Sequence, residues 1–148
     1  KIAEQKEFTS YLQTHPQIQS FDYPLQGVLQ GCLIVSMKKQ QSGDVQNLMH
    51  ELWNQEEMAF NKFLIVVDED VDAKDTSKVA WKVFNNIDAK RDLEIVEVSD
   101  QNFGHRVGID ATKKTALDQH ARQWPNDIVM SDEIKEKVTR RWSEYGIN

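Results

Sequence analysis

Residues 63–87, FLIVVDEDVDAKDTSKVAWKVFNNI, constrain the fold more than any other stretch of this chain. The run opens with five apolar residues, three of them β-branched. That is too short for a helix and matches a strand buried on both faces. An acidic tip follows, Asp68, Glu69, Asp70 and Asp72, and either Asp72 or Asp75 stands where a helix N-cap belongs. Val79, Val83 and Ile87 then line one side of a helix, with Ala80 and Phe84 beside them. A strand running into a capped amphipathic helix is half of a βαβ unit, so the chain needs a sheet layered with helices.

The remaining segments extend that plan. Residues 31–37 (GCLIVSM) read as a second buried strand, and residues 40–43 as a turn leading to Asp44 as N-cap. Val45, Leu48, Met49, Leu52 and Trp53 then form an apolar stripe at helical spacing. Residues 93–98 (LEIVEV) alternate as a strand nearer an edge. The N-terminal residues 1–14 read as an exposed helix with sparse apolar positions at Ile2, Phe8 and Leu12, ended at His15 by Pro16. Residues 15–27, with Pro16, Pro24 and Gly27, read as an irregular connector, and residues 99–115 as a loop pivoting on Gly104 and Gly108. Trp124 and Pro125 mark another break. The terminal helix carries Asp132 and Glu133 in its first turn, Arg140 and Arg141 near its last, and Gly146 beyond, with a stripe of Ile134, Val138, Trp142 and Tyr145.

The expected fold class is therefore α/β: a layered, at least partly parallel sheet of three or more strands with flanking helices, plus a C-terminal helix. One domain is expected over residues 1–148, which suits the length. Its parts are helix and connector (1–27), a βαβαβ core (28–98), a loop region (99–130) and the terminal helix (131–146).

The net charge of −6 argues against a nucleic-acid partner. The single cysteine, Cys32, excludes an internal disulfide and reads as a small core residue. No apolar run reaches the roughly 18 residues of a membrane span. A cytoplasmic location is expected. The chain begins at Lys1 and not at Met, as expected of a trimmed protein or a piece of a longer one.

Two constellations could carry chemistry. The acidic tip sits where open α/β sheets place ligands, and hard cations want clustered carboxylates. The plainer reading, helix caps and solvated side chains, is favoured because no metal-loop spacing is present. The second is GHRVGIDATKK, a glycine-bearing stretch with His105, Arg106, Asp110, Lys113 and Lys114. It reads equally as an anion or carboxylate pocket and as a solvated loop. His15, His50, His105 and His120 show no helical metal spacing, and no phosphate-binding or nucleophile-elbow motif occurs. Trp81 and Trp142, on expected helices, read as packing or interface residues.

Four stretches in order resemble the C-terminal part of UbiD family proteins, the 3-polyprenyl-4-hydroxybenzoate decarboxylases and their relatives. They are CLIVSMKK (32–39), KFLIVVDEDVDAKD (62–75), VAWKVFNNIDAKRD (79–92) and GIDATKK (108–114), followed by Trp124 and Pro125. The chain departs from the family where Phe84, Asn85 and Asn86 replace a Thr-Thr-Arg-like run and where Ala89 replaces a proline. The resemblance implies a carboxy-lyase that uses prenylated FMN with a divalent metal (Mn or Mg) and potassium. The Glu–Arg–Glu catalytic set of such enzymes lies upstream and has no counterpart here, so no catalytic, cofactor-binding or metal-ligating residue is assigned, and the isolated chain is expected to be inactive. The implied pocket-facing residues are Phe84, Asn85 and Asn86; His105 and Arg106 join them from the loop reading above.

The resemblance further implies a domain that caps the substrate pocket, meets upstream flavin-binding domains of the same chain, and makes homo-oligomer contacts through its terminal helix. The expected substrate is an aromatic acid, with a polyprenyl-4-hydroxybenzoate of ubiquinone biosynthesis first and the menaquinone route as an alternative. Peripheral association of the parent protein with a membrane is compatible with such a substrate. A stand-alone binding or assembly domain without chemistry is the competing reading, and a small metalloenzyme built on residues 68–72 a weaker third.

Overall fold

The computed structural model describes residues 2–24, 31–97, 104–120, 125 and 127–146. In chain order these form α1 (Ile2–Thr14), β1 (Ile18–Asp22), β2 (Cys32–Met37), α2 (Asp44–Trp53), β3 (Phe63–Asp68), α3 (Thr76–Asn86), the single-turn α4 (Ala89–Asp92), β4 (Leu93–Glu97), β5 (His105–Asp110) and α5 (Asp132–Arg140). One five-stranded sheet has the order β1-β2-β3-β5-β4. The central strands β2, β3 and β5 run parallel, while β1 and β4 are antiparallel edges. The class is the mixed α/β layering expected. Among the described residues, no helix is long and apolar enough to cross a membrane.

The sheet's two faces are filled unequally. On one, Leu33, Val35, Leu64 and Val66 pack with Phe8 and Leu12 and with the α2 stripe Val45, Leu48, Met49, Leu52 and Trp53. All of these are buried, and each such side chain contributes about 1.5–3 kcal/mol. On the other, α3 covers only the upper part, where Ile34, Val67, Val79 and Ala111 meet. The register row below, Cys32, Phe63, Val107 and Ile95, stays partly open, with Phe63 at 46% and Ile95 at 65% exposure. Burial lifts the Cys32 thiol to about 11, which favours its protonated form.

Four expectations are corrected. The N-terminal helix is not simply exposed, because Phe8 and Leu12 anchor it in the core. The connector assigned to residues 15–27 contains β1; its Ser20 hydroxyl lies 2.7 Å from that of Ser36 and also accepts from the Ala73 N–H. Gly27 lies outside the described residues. Gly43, at φ 85°, takes the N-cap position of α2 in place of Asp44. The Asp44 carboxylate accepts instead from the N–H groups of Gln40 and Gln41, closing the turn before the helix.

The fourth correction matters most for function. The stretch read as a loop over residues 99–115 contains β5, a strand flanked on both sides. Gly108 is no pivot: a Cβ there would lie 2.6 Å from Met49 Sδ and 2.9 Å from the Trp53 ring. Glycine lets α2 press onto the strand. The second crossover accordingly ends on β5. The third expected strand, β4, turns back as an antiparallel edge.

Candidate functional site: a lysine-lined cleft at the strand ends

The carboxyl ends of β2, β3 and β5 meet at one rim, the usual ligand position of an open α/β sheet. There Met37, Leu117 and Val129 give apolar walls, and Lys39, Asp68, Lys82 and Asp127 charged ones, to a cleft of about 460 Å³. Beyond β2, the Lys39 Nζ donates to both Asp118 oxygens (3.0 and 2.8 Å), to the Lys113 carbonyl (2.9 Å) and to Thr112 Oγ1 (3.2 Å). Burial pushes the Asp118 carboxyl up, but the bonds from Lys39 and the Thr115 N–H outweigh it and hold the group below its ordinary range. Thr115 and Asp118 close a capping box around the short turn Ala116–Asp118.

At the end of β3, both Asp68 oxygens accept from the Lys113 N–H, at 3.1 and 2.9 Å. Burial raises the Asp68 carboxyl above its ordinary value despite that bond and the nearby Lys82 charge. Asp75 caps α3 by accepting from the Lys78 N–H, which aims Lys82 toward the cleft one turn later. The Lys82 side chain is 3% exposed; its Nζ lies 2.9 Å from Asp127 Oδ2 and 3.8 Å from Asp68 Oδ2. The bond from Lys82 holds the Asp127 carboxyl below its ordinary range.

A second buried lysine stands behind the rim. Lys114 Nζ lies 2.8 Å from Asp110 Oδ1 and 3.5 Å from Asp92 Oδ1, and donates to the carbonyls of Asp110 and Thr112 at 3.0 Å. Asp92 also takes a bidentate pair from Arg91 (2.7 and 2.6 Å) and the Asp88 N–H (2.7 Å). Burial pushes Asp92 up; these donors outweigh it and hold the carboxyl low. The GIDATKK segment is thus the end of β5 and a tightly bonded turn, not a mobile pocket.

The five pocket candidates are not brought together. Phe84 is 82% exposed on the outside of α3. Asn85 donates to the Trp81 carbonyl at 2.7 Å, at the surface. Asn86 is buried and donates to the Ala111 carbonyl at 3.2 Å, behind the rim. His105 and Arg106 sit at the start of β5, the end opposite Asp110. Arg106 donates there to the carbonyls of Trp53 (3.2 Å) and Ala59 (3.1 Å). Sequence reasoning missed Lys39, Lys82, Asp118 and Asp127. The available signal was Lys82 itself, a cation in helical step with Val79 and Asn86 on the covered side of α3.

The acidic tip does not converge. Glu69 faces Lys38 at 3.9 Å, Asp70 faces Lys78 at 4.0 Å, and Asp72 accepts from the Lys74 N–H. Among the described residues, no group of three or more His, Cys, Asp or Glu is placed to hold a metal. Lys39, Lys82 and Lys114 are each engaged by carboxylates, so the donor set does not fit a flavin phosphate with its cations. No cofactor step is assigned to these residues.

A family model described as 3-octaprenyl-4-hydroxybenzoate carboxy-lyase C-terminal domain matches residues 2–111. An uncharacterised protein of Archaeoglobus fulgidus is 33% identical over 140 residues, covering 88% of this chain and 29% of its own length. One of Aeropyrum pernix is 30% identical over 143 residues, covering 90% and 29%. The chain thus spans under a third of these curated relatives. Among solved structures, the open form of the vanillic acid decarboxylase of Sedimentibacter hydroxybenzoicus superposes with a TM-score of 0.72 at 21% identity, covering 92% of this chain and 32% of that one. The UbiD-class enzyme HmfF of Pelotomaculum thermopropionicum, in an evolved dimeric form in complex with prFMN, gives 0.68 at 19% identity, covering 91% and 28%. These two establish the fold alone. The family match covers most of the chain, and with it the chain belongs to the UbiD carboxy-lyase family, to its C-terminal domain.

Proposed function

We propose that this chain serves as the C-terminal domain of a prenylated-FMN-dependent decarboxylase acting on an aromatic acid. The observation that carries this reading is the family match over residues 2–111. The flavin, a divalent metal (Mn or Mg) and potassium would be held by upstream domains in the cytoplasm, where the Glu–Arg–Glu set would act. In the proposed assembly the domain caps the substrate pocket, with Phe84 and Asn85 on α3 as the surface that meets it and the buried Asn86 behind them, bonded to the Ala111 carbonyl. His105 and Arg106, at the far end of β5, would face a different neighbour. A polyprenyl-4-hydroxybenzoate of quinone biosynthesis is the proposed substrate, by the ubiquinone or the menaquinone route.

Homo-oligomer contacts are assigned to the terminal helix. The expected helix over 131–146 ends at Arg140; Ile134 on α5, and Trp142 and Tyr145 on the short 3-10 turn that follows it, are 48%, 51% and 43% exposed, apolar area that supports a partner there. The test is co-expression of the full-length parent with a flavin prenyltransferase. Flavin binding and CO₂ release from one of a panel of aromatic acids are expected. A parent that binds no prenylated FMN and releases no CO₂ from any of them overturns the reading.

A further inference from the structure

We propose that the Lys82 ammonium is a receiving site for the carboxylate of a small monocarboxylic acid with an apolar body, and that Asp127 occupies it as an internal placeholder. The inference stands on the cleft's geometry and is independent of the decarboxylase reading.

Lys82 is almost fully withdrawn from water, which requires an anionic partner. The fixed frame of the fold does not supply a close one. Asp68, at 3.8 Å, already directs both oxygens to the Lys113 N–H, and Asp118 directs both of its own to Lys39. Among the described residues, the one hydrogen-bond acceptor of Lys82 is Asp127 Oδ2 at 2.9 Å.

Asp127 belongs to a different kind of structure from its partner. It lies on a segment outside any helix or strand, and the residues that follow it, Ile128, Val129 and Met130, are 101%, 74% and 54% exposed. Their apolar side chains give the segment no seat in the core. Its carboxylate enters a cleft of about 460 Å³, far more room than one carboxyl group fills. Met37 and Leu117 line the same cleft as apolar walls, so an acid whose body is apolar fits better than a polyanion. The rim carboxylates Glu69 and Asp70 face Lys38 and Lys78, which offsets their repulsion of an incoming anion. A ligand carboxylate replacing Asp127 restores the same charge-assisted bond, so exchange leaves no buried charge unpaired.

The test uses the 148-residue chain with benzoate as probe and benzamide as its neutral counterpart, following the Lys82 ammonium resonance by NMR. Asp127→Asn removes the placeholder and is expected to tighten benzoate binding about tenfold, the factor by which an occupied site lowers apparent affinity. The Lys82 signal should move on titration, and benzamide should leave it unmoved. Asp132→Asn deletes an equal charge from an exposed position and should leave affinity at the wild-type value. Lys82→Met in the Asp127→Asn background should abolish binding. Equal affinity of wild type and Asp127→Asn overturns the proposal, as does an equal response to benzamide. A stationary Lys82 signal in folded Asp127→Asn does so as well, whether or not the Lys82→Met variant folds.

Discussion

Lys114 and Lys82 are withdrawn from water to the same degree, with side chains 2% and 3% exposed, yet the molecule answers them differently. Lys114 is enclosed by residues of the rigid frame: Asp110 at the end of β5, two carbonyls of the turn after it, and Asp92 at the foot of β4. Lys82 is answered at close range by Asp127, from an exposed segment 45 residues away in sequence. A buried cation whose donors are all used within the frame is structural. One whose partner is borrowed from a loosely seated segment is exchangeable, and that contrast marks the cleft around Lys82 as the place to look for a ligand.

The hardest test of the contrast is Lys114→Met. Asp110 and Asp92 would remain buried with only Arg91, Thr112 and the Asp88 N–H to answer them. Breaking one partner out of such a cluster costs about 3–5 kcal/mol, and urea unfolding should show a loss of that size. Adding Asp110→Asn should recover part of it, because the two effects are coupled. A loss below about 1 kcal/mol would place Lys114 in the same class as Lys82.

Gly108→Ala probes the frame itself. The added methyl would meet Met49 Sδ and the Trp53 ring, and while the methionine tip can turn aside, the indole is wedged against the strand. A loss of about 1–3 kcal/mol is expected from thermal or chemical unfolding. Near-native stability would mean that α2 rides on β5 more loosely than the cluster behind it requires.

Legibility in the sequence followed how each element is buried. β2 and β3 are central strands, so their runs are apolar throughout, and the stripe of α2 is a simple helical repeat. β5 is just as central but reads HRVGID. Its position 108 is emptied for α2, Arg106 turns to the carbonyls of Trp53 and Ala59, and Asp110 to Lys114, so the apolar run never forms. β1 reads IQSFD because an edge strand needs few apolar positions and its serine bonds across to Ser36. The resemblance to a family locates the domain, and GIDATKK is one of the stretches that carry it. The pairings that make the cleft, Lys39 with Asp118 and Lys82 with Asp127, join residues 79 and 45 positions apart. No local period carries such contacts.

The smallest expected effect is the most discriminating. Asp127 is about a third exposed and Asp68 remains 3.8 Å from the same ammonium, so Asp127→Asn should cost less than about 1 kcal/mol near neutral pH. Its pH dependence carries a sign. Lys82 holds the Asp127 carboxyl below the ordinary range, so its contribution is complete above the unfolded value of about 3.9 and disappears as pH falls through the lower folded value. Wild type and Asp127→Asn should therefore differ at neutral pH and converge in acid. Asp68 runs the other way: burial raises its carboxyl, so the folded state keeps a proton that the unfolded chain has released, and stability falls as pH rises through that window. With Asp127 neutralised, the Lys82 ammonium has Asp68 at 3.8 Å as its nearest remaining anion, and Asp68 should titrate lower than in wild type. Carboxyl NMR across an acid titration reads both groups. If Asp68 titrates unchanged in Asp127→Asn, Lys82 has not turned toward it, and the two lysines differ in exposure of their partners but not in the freedom to exchange them.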